Sequence, residues 1–149
     1  DNNSSLLIWI TSNISQVSSD LEWQTCLGGS STDYGYSIQE TTDGGYIVAG
    51  TTNSIDGDVS GNQGSGDAWV VKLDSNRVIQ WQKCLGTTLS DTAKCVRQTS
   101  DGGYIVAGYT SSTYSSTAWA AKLSSRGDLD WKKDISNTEQ ANSIQQTYY

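Results

Sequence analysis

Apolar residues in this chain fall in short runs of four to seven residues, β-branched or aromatic, bounded by Gly, Asp, Asn or Ser. Tyr46-Ile47-Val48-Ala49-Gly50 and Ala68-Trp69-Val70-Val71-Lys72-Leu73 are two of them. Such runs between turn formers are strand and hairpin chemistry. The Tyr46–Ala49 run has no polar alternation, so it is expected to be buried on both faces. No stretch sustains an apolar period of about 3.6 residues, and the prediction is an essentially all-β chain.

The pattern repeats. Asp43-Gly44-Gly45-Tyr46-Ile47-Val48-Ala49-Gly50 returns 58 residues later as Asp101 to Gly108. Ala68 to Leu73 returns 50 residues later as Ala118-Trp119-Ala120-Ala121-Lys122-Leu123. Trp23, Trp81 and Trp131 mark a third element, and Ser37-Ile38-Gln39-Glu40-Thr41 a fourth, which recurs at Cys95–Thr99 and Ser143–Thr147. The Asp-Gly-Gly before each Tyr supplies the positive-φ residues of a tight hairpin turn. Asp74-Ser75-Asn76 and Ser124 to Gly127 look like a second turn. Four strands per unit of about 50 residues is the arithmetic of a β-propeller blade, with a duplicated β-sandwich or solenoid as the competing architecture. The fold class expected is therefore all-β, with propeller-blade-like four-stranded repeats that are incomplete at both ends.

As one repeat domain over 1–149, the chain divides into an N-terminal strand or arm (1–20), repeat 1 (21–73), repeat 2 (74–123) and a partial repeat 3 (124–149). Propellers close with about 4–8 blades. The segment Leu6, Leu7, Ile8, Trp9 and Ile10 aligns either with A-W-V-V-K-L or with Y-I-V-A-G. Repeats of this kind bury their faces only against neighbours, and an uncapped apolar edge is a template for another strand. The expectation is that Leu6–Ile10 acts as a donor strand and the region from Ile144 through Thr147, Tyr148 and Tyr149 as its acceptor. Other copies of the chain would then assemble head to tail, as a filament or a closed ring. A section of a longer propeller is the alternative.

Composition narrows the function classes. The chain has 149 residues and no His, which removes Ser-His and Cys-His nucleophile pairs and His metal sites. No apolar run approaches the roughly 20 residues of a membrane helix. The net charge is −7, opposite in sign to a usual nucleic-acid binder. Asp33, Asp91, Glu22 and Glu40 offer no convergent acid-base set, and Asp33 and Asp91 are repeat-equivalent, which favours a turn role. No enzyme activity is expected.

Several residues carry candidate chemistry. Asp56, Asp58, Ser60, Asn62 and Asp67 place oxygens at the spacing of a calcium loop, with Gly61 at its sharp turn. Ser60 and Asp67 replace the usual acids, and the other repeat has only Ser111–Ser116 here. Calcium is the one candidate cofactor. Cys84 and Cys95 lie on neighbouring segments and are the expected disulfide in an oxidising compartment, leaving Cys26 free. Asn2, Asn3 and Asn13 head N-x-S sequons. The recurring Trp residues read as core. Tyr34, Tyr36, Tyr109 and Tyr114 break the repeat and are candidates for sugar stacking.

These motifs resemble a family of secreted bacterial and archaeal cell-surface repeat proteins. Its repeats read S-I-Q-x-T-x-D-G-G-Y-I-V-A-G-x-T, then N-D-G-D-V-S-G-N, then D-x-W-V-V-K-L-D and W-x-K-x-L-G-G. The matches here are Ser37–Thr52, Asp56–Asn62, Asp67–Asp74 and Trp81–Gly86, then Cys95–Thr110 and Trp119–Leu123. The resemblance implies β-propeller-like domains at the cell surface, often beside adhesion modules and without assigned activity. The expected function is an extracellular structural repeat protein assembled by strand complementation, or else a carbohydrate-binding, adhesive propeller.

Overall fold

The computed structural model describes residues 6–10 (as backbone), 23–135 and 138–147. Among the described residues ten strands follow in order: β1 (Leu6–Ile10), β2 (Trp23–Leu27), β3 (Asp33–Glu40), β4 (Tyr46–Thr52), β5 (Asp67–Leu73), β6 (Ile79–Cys84), β7 (Ser90–Gln98), β8 (Tyr104–Ser111), β9 (Ser116–Leu123) and β10 (Leu129–Ile135). No helix occurs among the described residues. The strands form two four-stranded antiparallel meanders, β3-β4-β5-β6 and β7-β8-β9-β10, and a two-stranded sheet, β1-β2.

The two meanders are equivalent strand for strand. Each has a bulge in its first strand, between Gly35 and Ser37 and between Ala93 and Cys95. The sheets thus run over 33–84 and 90–135, and their boundary falls after the Trp81 strand. The expected unit boundary at 73/74 cuts that strand away from its sheet, because a sequence period has no intrinsic phase.

The predicted turns are present. Gly44 and Gly102 have φ of 76° and 80°. Gly45 cannot take a side chain either, since a Cβ there would lie 2.1 Å from the Leu73 carbonyl oxygen. Each such turn is locked by the same set of groups. Thr41 Oγ1 and the Gly45 amide donate to Asp43, and the buried Lys72 Nζ bonds Asp43 and the Leu73 carbonyl. Thr99, Gly103, Lys122, Asp101 and Leu123 repeat it.

Packing is face to face. Ile47, Ala49 and Val70 of the first meander meet Val96, Tyr104, Val106 and Trp119 of the second in one apolar cluster. The other face of the first meander, with Val48, Trp69 and Val71, packs on Leu27 and Trp23 of β2. β4 is thereby buried on both faces, as its unbroken apolar run predicts. The first strands also meet at their edges. Val96 and Gln98 donate backbone amides to Ser37 Oγ and Gln39 Oε1, at 3.3 and 2.9 Å.

β1 pairs antiparallel with β2, Leu7 opposite Cys26 and Ile10 opposite Trp23. β5 pairs with β6 in the same register, Trp69 opposite Cys84 and Lys72 opposite Trp81. The open alignment is settled: Leu6–Ile10 corresponds to the A-W-V-V-K-L strand. At the other end, the third S-I-Q-x-T copy is not in a ladder. Its earlier copies pair with a Y-I-V-A-G strand, and none stands beside 143–147 among the described residues.

Candidate functional site

The sequence places its most pointed chemistry in the 53–66 segment joining β4 and β5. This segment folds back over the β2–β3 connection. Asp56 Oδ1 accepts from the Ser30 amide at 2.7 Å, and Ser54 Oγ accepts from the Ser31 amide at 3.0 Å. Asp58 is bonded to Gly28 through both its carboxylate and its amide. Ser60 accepts from Gln82 Nε2 through its carbonyl and its hydroxyl. Asn62 Nδ2 donates to the Thr52 and Ser54 carbonyls, and Asp67 Oδ2 accepts from the Gln63 amide. Four of the five calcium-loop residues lie in this segment and Asp67 opens β5, but each binds a different protein group. No cluster of three or more His, Cys, Asp or Glu side chains able to hold a metal occurs among the described residues. The backbone and side-chain hydrogen bonds from Ser30 lower the Asp56 pKa. Burial raises that of Asp67, whose Oδ1 has no hydrogen-bond partner.

Asp33 and Asp91 are buried and hold equivalent turns. Asp33 accepts from the Gly29 amide and from the Thr52 and Ser54 hydroxyls. Asp91 accepts from the Thr87 amide and hydroxyl and from Thr110. The turn role expected from their repeat equivalence is what these contacts describe.

The cysteine pairing needs correction. All three thiols are free. Cys84 lies on β6, opposite Trp69, and Cys95 on β7, opposite Ala107. Nearness in sequence misled here, because the connection after β6 crosses to a new sheet instead of turning back as a hairpin. Burial also pushes the Cys84 thiol up to about 12.

Three of the four singled-out tyrosines come together. Tyr36 and Lys94 are the extra residues of the two equivalent bulges, and Lys94 Nζ lies 3.5 Å from the centre of the Tyr36 ring. Tyr34 stacks on Tyr36 at 6.4 Å and 22°, and Tyr109 lies 5.8 Å from Lys94. Tyr34 and Tyr36 are 51% and 45% exposed. Tyr114 stands apart at a hairpin tip.

Ile144 and Thr147 of the expected acceptor belong to a segment fixed by one recurring contact. Gln146 Oε1 accepts from the Ser100 amide at 2.9 Å, as Gln98 Oε1 does from Thr42. The S-I-Q-x-T recurrence carried this signal, but the role of its fourth position was not legible. Asn2, Asn3, Asn13, Glu22, Tyr148 and Tyr149 lie outside the described residues, as do the side chains of Leu6, Leu7, Ile8, Trp9 and Ile10.

A second feature has no sequence motif. A cavity of about 540 Å³ opens beside the second meander, lined by the 87–89 connection, the Thr110–Thr117 hairpin, and Lys132 and Asp134 of β10. Its place corresponds to the ground covered by the 53–66 segment in the first meander.

These features define an all-β protein of duplicated antiparallel meanders packed face to face. No family model matches the chain. No match was found among curated proteins.

Proposed function

We propose that this chain is an extracellular structural repeat protein whose meanders act as blades of a β-propeller-like array, extended head to tail by β-strand complementation. One observation carries the reading. Among the described residues β1 is paired on one side only, whereas its equivalents β5 and β9 are paired on both. The vacant side is where β4 and β8 stand in the other sheets. Segment 143–147 makes through Gln146 the contact that the first strand β7 makes through Gln98, and no Y-I-V-A-G strand stands beside it among the described residues. Unpaired ladder groups beside apolar strands favour addition of a strand from another chain. The secreted, cell-surface setting rests on the resemblance of the repeats.

Sedimentation velocity and negative-stain imaging test this. The expected result is concentration-dependent polymers, which deletion of residues 1–12 abolishes. Leu7→Pro serves as a gentler variant. Leu85 donates to the Ala68 carbonyl, so Ala68 faces β6 and Trp69 faces β4. Leu7 corresponds to Trp69, and Pro there removes an outward amide while sparing the β2 ladder. A monomer at all concentrations, or undiminished polymers in both variants, overturns the reading.

The exposed Tyr34–Tyr36 pair favours a second reading, a carbohydrate-binding adhesive module whose ring is completed by several chains. Closed rings in the same images, with glycan-array binding lost in Tyr34→Ala, would select it.

A further inference from the structure

We propose that the cavity beside the second meander is a receptor for an acidic peptide segment, of the Asp-Gly-Asp kind that the first meander carries on its own loop. The inference rests on the internal repeat, which supplies a filled copy of the same site.

In the first meander the occupant is built in. The Asp56 carboxylate sits on the Ser30 amide, Ser54 on the Ser31 amide, and Ser60 on Gln82 Nε2. Gln82 Oε1 in turn accepts from the buried Trp69 Nε1 at 2.8 Å. Indole, amide and loop thus form one continuous hydrogen-bonded chain.

In the second meander the occupant is missing but its receptors remain. Thr88 stands at the position of Ser30, Trp119 at that of Trp69 and Lys132 at that of Gln82. The hairpin is shorter, and Ser111–Ser116 carries no acid. Gln can accept and donate, whereas Lys only donates. The fully buried Trp119 Nε1 is accordingly left with no acceptor, and Lys132 Nζ lies 4.5 Å from the centre of its ring. Among the described residues two N–H donors there have no partner, the Thr88 amide at the cavity wall and the buried Trp119 indole; the Ser112 and Ser115 hydroxyls bond each other, and Lys132 Nζ, which donates to the Leu85 carbonyl at 2.8 Å, keeps a further N–H to offer. A donor-rich cavity of this size calls for an acceptor-rich occupant, and charge-assisted bonds to a carboxylate are the strongest on offer.

Carboxylates also stand nearby, and they oppose an acidic occupant in part. Asp91 lies beneath the cavity, 3.6 Å from Lys132, and Asp134 is at its rim. In the first meander the loop that carries Asp56 is itself bonded to the buried Asp33 through Ser54, which also receives the Ser31 amide.

The test is an amide-resolved NMR titration of the full chain with a capped peptide of residues 53–62. Saturable shifts are expected at Thr88, Ser112 and Ser115, with binding at least about tenfold weaker when the peptide carries Asp56→Asn and Asp58→Asn. Thr88→Pro in the protein deletes the receiving amide. It should weaken the acidic peptide and leave the neutral one unchanged, with the dispersed spectrum showing that the fold is kept. Absence of shifts at these residues at millimolar peptide, equal binding of the neutral peptide, or shifts with free glucuronate but none with the peptide would each overturn the proposal.

Discussion

Trp69 and Trp119 occupy the same place in successive repeats, 1% and 0% exposed, yet one indole is satisfied and the other is not. Replacing each with Phe is therefore a controlled pair. Both substitutions remove similar apolar volume from equivalent packing, and that shared cost cancels in the comparison. Trp69→Phe also loses the bond to Gln82, a net loss of about 1 kcal/mol. Trp119→Phe deletes a buried donor that has no partner, a group whose burial costs about 1–3 kcal/mol. Against this, the smaller ring weakens the contact with Lys132, by about 0.5–1 kcal/mol. The balance makes Trp69→Phe the more destabilising by about 2 kcal/mol, or roughly 4–8 °C in melting temperature for a chain of this length. Urea and thermal unfolding followed by far-UV circular dichroism measure it. Equal losses, or a larger loss in Trp119→Phe, would refute the assignment of a stranded indole in the second meander and with it the donor surplus of the cavity.

Two further outcomes follow from the repeat contacts. The Thr41 hydroxyl, with the Lys72 ammonium and the Gly45 amide, holds the Asp43 carboxyl down at about 2. A depressed carboxylate stabilises the fold fully above its ordinary range near pH 4, and the gain is lost as pH falls towards 2. The melting-temperature gap between the wild type and Asp43→Asn should thus narrow steadily from pH 5 to pH 2, and a constant gap would count against this lock. Gln98→Ala removes the side-chain acceptor of the Thr42 amide between the two meanders. Hydrogen exchange at Thr42 should quicken, while global stability falls by only about 1 kcal/mol because the bond is exposed. Unchanged exchange at Thr42 would mean that the bond is not kept in solution.

Strand content, the hairpin turns and the equivalence of the repeats were legible because each is a local or periodic property. Asp-Gly-Gly needs its glycine at positive φ, and a run such as Tyr46–Ala49 with no polar alternation fits only a strand covered on both sides. Phase was not legible, so the sheet boundary fell at 84–90 and the Leu6–Ile10 alignment stayed open until its register against Trp23 decided it. The cysteines show the same limit. Cys84 and Cys95 are eleven positions apart, but an outer-strand to first-strand crossover places them in different sheets.

The sequence by itself determined that this is a β protein built from a unit used more than once, since periodicity and turn chemistry are written in residue order. Only the tertiary structure decided which copies of a position differ in their surroundings. Gln82 and Lys132 look like a small change at one repeat position. The fold-back of the 53–66 segment puts one of them between an indole and a loop, and the short Ser111–Ser116 hairpin leaves the other between an indole and an open cavity. Such contacts join groups 13 and 22 positions apart in the chain, and no local pattern encodes them.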